Sequence, residues 1–367
     1  MTNRFSRRQI LSAGSLTLAG SLTGTAAGLF LGPPQLLAQG AASGDERIIK
    51  SGPLCIDVHA HLWTDQYLDL VESYGKKDTN IQRGRDAGMT EAEIDKRFAT
   101  MDSAGVDLQV LSVSPQSPHF ANAQHAVNAA RTANDMYAGA VHRWPKRFAA
   151  FAALPLPHID ESLREMDRAI GQLGMRGVAL TTDILGRSIA DPAFMPLYEE
   201  LNRRRSVLFI HPTGNGAYSP LIADYKIIWM IGAPIEDTVA VLHLITQGIP
   251  SRFPQMKIIT AHVGGALPML LDRLDSISTW EYPQIPEKPS VAARRMWYDT
   301  VAYGDVPALR AAVDTLGAGQ LVLGSDFPYE NGDLYRRAVT YIRDAGLQQD
   351  DVARILARNA SALLGYE

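Results

Sequence analysis

The chain has 367 residues, 46% hydrophobic and 20% charged, a globular composition with enough apolar side chains to bury a full core. Its 35 basic and 39 acidic residues give a net charge of −4; the first forty residues carry Arg4, Arg7, Arg8 and no acid, so the rest holds 32 basic against 39 acidic side chains. That balance of −7 argues against nucleic acid or an anionic membrane as the main partner, and a single cysteine, Cys55, rules out internal disulfides.

Residues 1–40 read as a targeting segment. Ser6-Arg7-Arg8-Gln9-Ile10-Leu11 sets a twin-arginine pair ahead of an apolar, small-residue run, and Ala38-Gln39-Gly40 offers the small residues a signal peptidase prefers. The pattern resembles a Tat export signal. The run is rich in Gly, Ser, Thr and Ala, too weakly hydrophobic to suit a transmembrane anchor. The expectation is a cleaved signal, the Tat translocase as partner during export, and a periplasmic or otherwise exported protein. Residues 41–53 read as a linker.

From residue 54 to 367, short apolar runs alternate with amphipathic segments. The predicted strands are Leu54–His59, Val106–Val113, Phe148–Leu154, Arg176–Thr181, Ser206–His211, Lys257–His262, Trp297–Val301 and Gln320–Ser325. Helical patterns such as Ile159–Leu173, Pro192–Arg205 and Pro234–Gln247 separate them. Eight strands in alternation with helices predict an α/β chain folded as a (β/α)8 TIM barrel. The competitor, a doubly wound open sheet, would carry a glycine-rich phosphate loop after its first strand, where this chain has His59-Ala60-His61. A last helix is predicted with Asp350 or Asp351 as its cap and Gly365 as its end. Two connections, Leu62–Lys96 and Thr279–Arg295, are longer than a barrel needs and suit lids or subunit contacts.

The first strand ends in two histidines spaced so that alternation points both the same way, which aligns two imidazole donors for a divalent metal. Other strands end in the same kind of residue. Strand five ends in His211-Pro212, strand six in His262-Val263-Gly264-Gly265, and strand eight in Asp326-Phe327-Pro328. In a barrel these ends share one rim, the rim that carries active sites. His119, His125, His142, His158 and His243 end no predicted strand. His243 reads as a packed helix residue, and His119, His125 and His142 as loop or helix-surface residues.

These residues, with Met101-Asp102-Ser103-Ala104-Gly105-Val106-Asp107, His262-Val263-Gly264-Gly265-Ala266 and Gly324-Ser325-Asp326-Phe327-Pro328, resemble the amidohydrolase superfamily. The branch is that of 2-amino-3-carboxymuconate-6-semialdehyde decarboxylase-like proteins. The resemblance runs from Leu54 to Gly365. It implies that His59, His61, His211 and Asp326 ligate one divalent metal, zinc by preference with manganese as the alternative. It further implies that His262 holds the metal's water and, with Asp326, handles proton transfer. Subgroups with two metals bridge them through a carboxylated lysine at the end of strand four; Arg176-Gly177-Val178-Ala179-Leu180-Thr181-Thr182 has none, so the site is expected to be mononuclear.

Such a site supports two reactions on a small-molecule substrate. One is decarboxylation of an aromatic or unsaturated carboxylic acid, and the alternative is hydrolysis of an amide, ester or lactone by metal-activated water. A non-catalytic exported binding barrel is a third reading, disfavoured because all five rim residues are present. Decarboxylation calls for an arginine aimed at the substrate carboxylate. Arg97, four residues before Met101, and Arg273, eleven after His262, match substrate-binding arginines of the resembling decarboxylases. After the strand-five histidine those enzymes carry a bulky, Trp-containing segment, whereas this chain has Pro212-Thr213-Gly214-Asn215-Gly216, small and open. Relatives often form dimers, and a homodimer is expected.

Overall fold

The computed structural model describes residues 53–77 and 79–366. The predicted export signal, and the linker as far as Gly52, lie outside the described residues. Eight parallel strands follow in chain order: β1 (Ile56–His61), β2 (Leu108–Ser112), β3 (Phe148–Ala150, resumed as Ala152–Ala153), β4 (Gly177–Thr181), β5 (Val207–His211), β6 (Lys257–Thr260), β7 (Trp297–Asp299) and β8 (Leu321–Val322). Each pairs in parallel with its sequence neighbour from β1 through to β8.

The ring closes between β8 and β1. Val58 N donates to Leu323 O at 2.9 Å, Asp326 N to His59 O at 2.9 Å and His61 N to Phe327 O at 2.7 Å. Ala60 bridges Phe327 in parallel register. An open sheet would leave these edge groups unpaired, so the closed (β/α)8 order prevails over the doubly wound alternative. The interruption at Phe151 is likewise bridged, by Phe151 N donating to Leu111 O at 3.0 Å.

Two apolar layers result. Ile56, Val58, Leu108, Val110, Phe151, Val207, Phe209, Ile259 and Val322 fill the interior, and Leu363 and Leu364 of the last helix pack against them. The opposite faces of the strands, such as Ala60, Leu111, Leu208, Ile210 and Ile258, bury against the helices. Burial on both faces is why the strands read as continuous apolar runs rather than alternating ones.

Some predicted boundaries shift. The last helix is capped by Gln348 rather than by Asp350 or Asp351, which fall in its first turn. It continues through a wider turn at Arg354–Arg358 into Asn359–Leu364 and ends at left-handed Gly365. His243 is not packed: it is exposed and pairs its Nδ1 with Ser188 Oγ at 2.8 Å. His119 lies in a loop as predicted but is buried, with Nδ1 3.1 Å from Thr181 Oγ1.

Candidate metal centre

The site begins with an irregularity in β1. Strict alternation would set His59 and His61 on the face opposite Ile56 and Val58. The register against β2 slips between Asp57 and Ala60, a bulge that re-aims the strand end. His59 therefore sits over interior Phe209, ring centroids 5.1 Å apart, and meets His61 edge to face at 5.0 Å. Asp326 follows β8 in left-handed backbone, φ +57°, and His262 follows β6 at φ +51°, conformations that functional loops hold against steric cost.

Four donor atoms, one each from His59, His61, His211 and Asp326, lie within 4.8 Å of one another, and all four residues are buried. His59 Nε2 is 3.2 Å from His61 Nε2, and both are 3.1 Å from Asp326 Oδ1. Bonds of 2.0–2.1 Å at tetrahedral angles would space donors by about 3.3 Å, so these separations match the edges of a small coordination shell.

The outer partners fix which nitrogen faces inward. His59 Nδ1 donates to Asp299 Oδ2 at 2.6 Å and His211 Nδ1 to the Pro212 carbonyl at 2.8 Å, while His61 Nδ1 lies 3.1 Å from Ser112 Oγ. With Nδ1 of each imidazole engaged outward, imidazole nitrogens and a carboxylate face one focus, a donor set that fits a divalent cation.

Charge tells the same story. Burial would strip the proton from His59, but Asp299 and Asp326 outweigh it and raise the imidazole to about 9. Burial prevails at His61, lowering it to about 4, and, with the imidazoles of His61 and His59, pushes His211 well below its ordinary value. Burial would raise Asp326, yet His59 and the hydrogen bonds around it hold the carboxyl well below the usual range. The two carboxylates thus draw positive charge into the centre.

His262 stands just outside the ligand set, its Nε2 3.8 Å from Asp326 Oδ2 and its Nδ1 2.9 Å from Asp237 Oδ2. Burial opposes its charge, but Asp237 raises it well above the ordinary histidine value. Burial pushes Asp237 in turn up to about 7. Asp299 also accepts from the His262 backbone N at 2.8 Å, so one carboxylate orients both His59 and the segment that carries His262.

Above this floor opens a cavity of about 790 Å³, walled by Arg85, Trp229, Met269, Val301, Tyr303 and Tyr329, with His211, His262 and Asp326 at the base. Among the described residues Arg85 is its only arginine or lysine. The guanidinium lies 5.0 Å over the Tyr329 ring, with Nε turned to the Ile81 carbonyl. Gln82 Nε2 donates to Tyr329 OH at 2.7 Å, which pins this part of the long Leu62–Lys96 connection to the cavity rim.

The profile of the amidohydrolase family matches residues 56–366. The chain belongs to the amidohydrolase family. This amidohydrolase is 28% identical over 304 residues to the 2-amino-3-carboxymuconate-6-semialdehyde decarboxylase of Dictyostelium discoideum, covering 77% of this chain and 83% of the relative. The crystal structure of 5-carboxyvanillate decarboxylase LigW from Sphingomonas paucimobilis aligns at TM-score 0.73 and 27% identity, over 86% of this chain and 99% of that one. A dihydroxybenzoic acid decarboxylase from Polaromonas sp. JS666, solved with manganese and 2-nitroresorcinol, shares the fold at TM-score 0.74 and 24% identity, over 86% and 97% of the two chains.

Within the amidohydrolase fold the expected arginines do not reach the cavity. Arg97 is 1% exposed and lies behind His61, donating to its carbonyl at 2.9 Å and to Gln109 Oε1 at 2.7 Å. Arg273 is exposed on the helix Leu267–Glu281, off the cavity wall. Arg85, Asp237 and Asp299 went unread. Asp299 ends β7 as His211 ends β5, but the predicted strand ran on to Val301 and hid it from the strand-end rule. Arg85 lies in an irregular connection with no periodic signal.

Proposed function

We infer that this amidohydrolase is a mononuclear, metal-dependent carboxy-lyase acting on a small aromatic or unsaturated carboxylic acid. The observation that carries the reading is the pairing of Asp326 with His262 at the base of a largely apolar cavity that has Arg85 on its wall. The activities named for the relatives, all decarboxylations, support it.

Decarboxylation exchanges a C–CO₂⁻ bond for C–H, so a proton must reach the carbon whose carboxylate departs as CO₂. His262, kept protonated by Asp237, holds Nε2–H toward Asp326 Oδ2. Asp326 accepts that proton and delivers it to the substrate carbon, where a π pair of the ring or conjugated system forms the new C–H bond; the C–CO₂⁻ bond then breaks, CO₂ leaves, and the pair from that bond restores the π system. Arg85 suits an acidic or phenolic group on the substrate through charge-assisted hydrogen bonds. The apolar walls exclude water from the reacting carbon. A cation held by His59, His61, His211 and Asp326 would supply Lewis acidity toward substrate oxygens. We read that cation as zinc, with manganese, present in the Polaromonas relative, as the alternative.

The test is a panel of hydroxybenzoic and unsaturated acids incubated with metal-loaded protein in D₂O. The expected result is one CO₂ per substrate consumed and deuterium at the carbon that bore the carboxylate. Turnover of esters or lactones with no CO₂ from any acid would overturn the reading in favour of hydrolysis.

The twin-arginine segment supports export through the Tat route to the periplasm, with the barrel folded beforehand, as a second part of this proposal. Replacing Arg7→Lys together with Arg8→Lys should hold the protein in the cytoplasm in a fractionation assay. Undiminished export of that double variant would refute the route.

A further inference from the structure

The loop that follows β5 is held by an unusual arrangement. Four successive backbone amides converge on the carboxylate of Glu236. Thr213 N and Gly214 N donate to Oε2 at 2.7 and 3.0 Å, and Asn215 N and Gly216 N to Oε1 at 2.8 and 2.7 Å. Thr182 Oγ1 adds a fifth bond at 3.0 Å. Concave runs of amides of this kind ordinarily bind an external anion. Here the anion belongs to the helix Ala233–Thr246 and is 3% exposed, so the loop is fixed before any ligand arrives.

What the loop carries is a seat. Gly214 has φ +82°, and a Cβ at that position would lie 2.6 Å from both Cη2 and Cζ2 of Trp229. The indole therefore rests directly on bare glycine backbone. The turn Ile228–Gly232 that bears it is tied to the same loop, since a Cβ on Gly232 would come within 3.0 Å of the Gly216 Cα. The small residues Pro212–Gly216 do not leave the pocket open, as their size suggested: Trp229 takes the space. It remains 44% exposed and lines the cavity that His211 and Asp326 floor. A rigidly seated indole with free surface inside a cavity is a ready partner for a planar π system.

We propose that Trp229 is a specificity-determining residue, the aromatic wall on which the substrate's planar ring or conjugated chain stacks, seated by Gly214 and positioned through the Glu236 clasp. The proposal rests on the acid-binding reading of the cavity given above.

The test measures binding, separately from turnover. Metal-loaded full-length protein is titrated calorimetrically with benzoate and with its saturated counterpart, cyclohexanecarboxylate. Trp229→Ala should weaken the aromatic acid about tenfold or more and the saturated acid by no more than about twofold, while Trp229→Phe keeps aromatic affinity within about threefold. Gly214→Ala should behave as Trp229→Ala, because the added methyl evicts the indole; Trp229→Ala, at a half-exposed position, is the variant certain to spare the core. Equal losses for the two acids, unchanged aromatic affinity in Trp229→Ala, or binding of neither acid by the wild type would each overturn the proposal. Retained aromatic selectivity in a wild-type protein that releases no CO₂ would instead overturn the carboxy-lyase reading and support the aromatic wall.

Discussion

Replacing Asp326→Asn is expected to lower kcat by about a thousandfold, within the range that a positioned acid–base group contributes. The substitution is nearly isosteric, and asparagine tolerates the left-handed backbone at φ +57° as well as aspartate does. The barrel-closing bond from Asp326 N to His59 O and the turn bond from Tyr329 N to Asp326 O at 2.8 Å remain available. What vanishes is charge. The amide cannot be the anionic member of the ligand set and cannot shuttle a proton between His262 and the substrate carbon. Metal content by mass spectrometry should fall below one equivalent together with kcat. His262→Gln separates the two roles: it removes the proton source 3.8 Å away while leaving the four ligands in place, so metal content should stay near one equivalent while kcat falls. Wild-type turnover by Asp326→Asn would remove Asp326 from the mechanism.

The rim residues were legible because they obey a simple rule: apolar strand, then a metal-ligating residue at its end. His211 ends β5, His262 and Asp326 come within four residues of the ends of β6 and β8, and the barrel topology makes distant strand ends adjacent. The eight strands were legible for a related reason, since burial on both faces leaves short, largely apolar runs. The bulge in β1 was not, because nothing in Ile56-Asp57-Val58-His59-Ala60-His61 signals that the register slips. Alternation alone still paired His59 with His61, but it could not say that the pair would turn inward over Phe209. Asp299 was hidden by two residues of misplaced strand boundary, the least determined feature of any periodicity. Arg85 and Trp229 were out of reach for a deeper reason: both are delivered to the cavity by loops. Their positions follow from tertiary contacts, Gln82 on Tyr329 and Trp229 on Gly214, that no local pattern encodes.

Arg97 tests the difference between matching a motif position and touching a ligand. Its guanidinium is enclosed, stacked 4.5 Å from the Phe327 ring centroid and 5.2 Å from that of Phe148. Burial lowers it to about 10, with Tyr335 and Asp57 pulling the other way. Gln109 relays the charge: it accepts from Arg97 Nε and donates through Nε2 to Asp57 Oδ2 at 3.0 Å, and Asp57 in turn accepts from Ser325 Oγ at 2.6 Å beside the Asp326 turn. Arg97 thus braces the strand ends that carry His61 and Asp326, through the His61 carbonyl on one side and the Asp57 network on the other. Arg97→Met keeps the volume but strands the His61 carbonyl, Gln109 Oε1 and the buried Asp57 charge. The expected cost is about 3 kcal/mol or more, as for breaking a buried charged network. In a chain of 367 residues that lowers Tm by roughly 4–5 °C or more. At temperatures where the variant is folded, KM should stay close to wild type, because the residue lies behind His61 and not on the cavity wall. An unchanged Tm with a raised KM would return Arg97 to the substrate and require the helix Glu91–Ala104 to open toward the cavity.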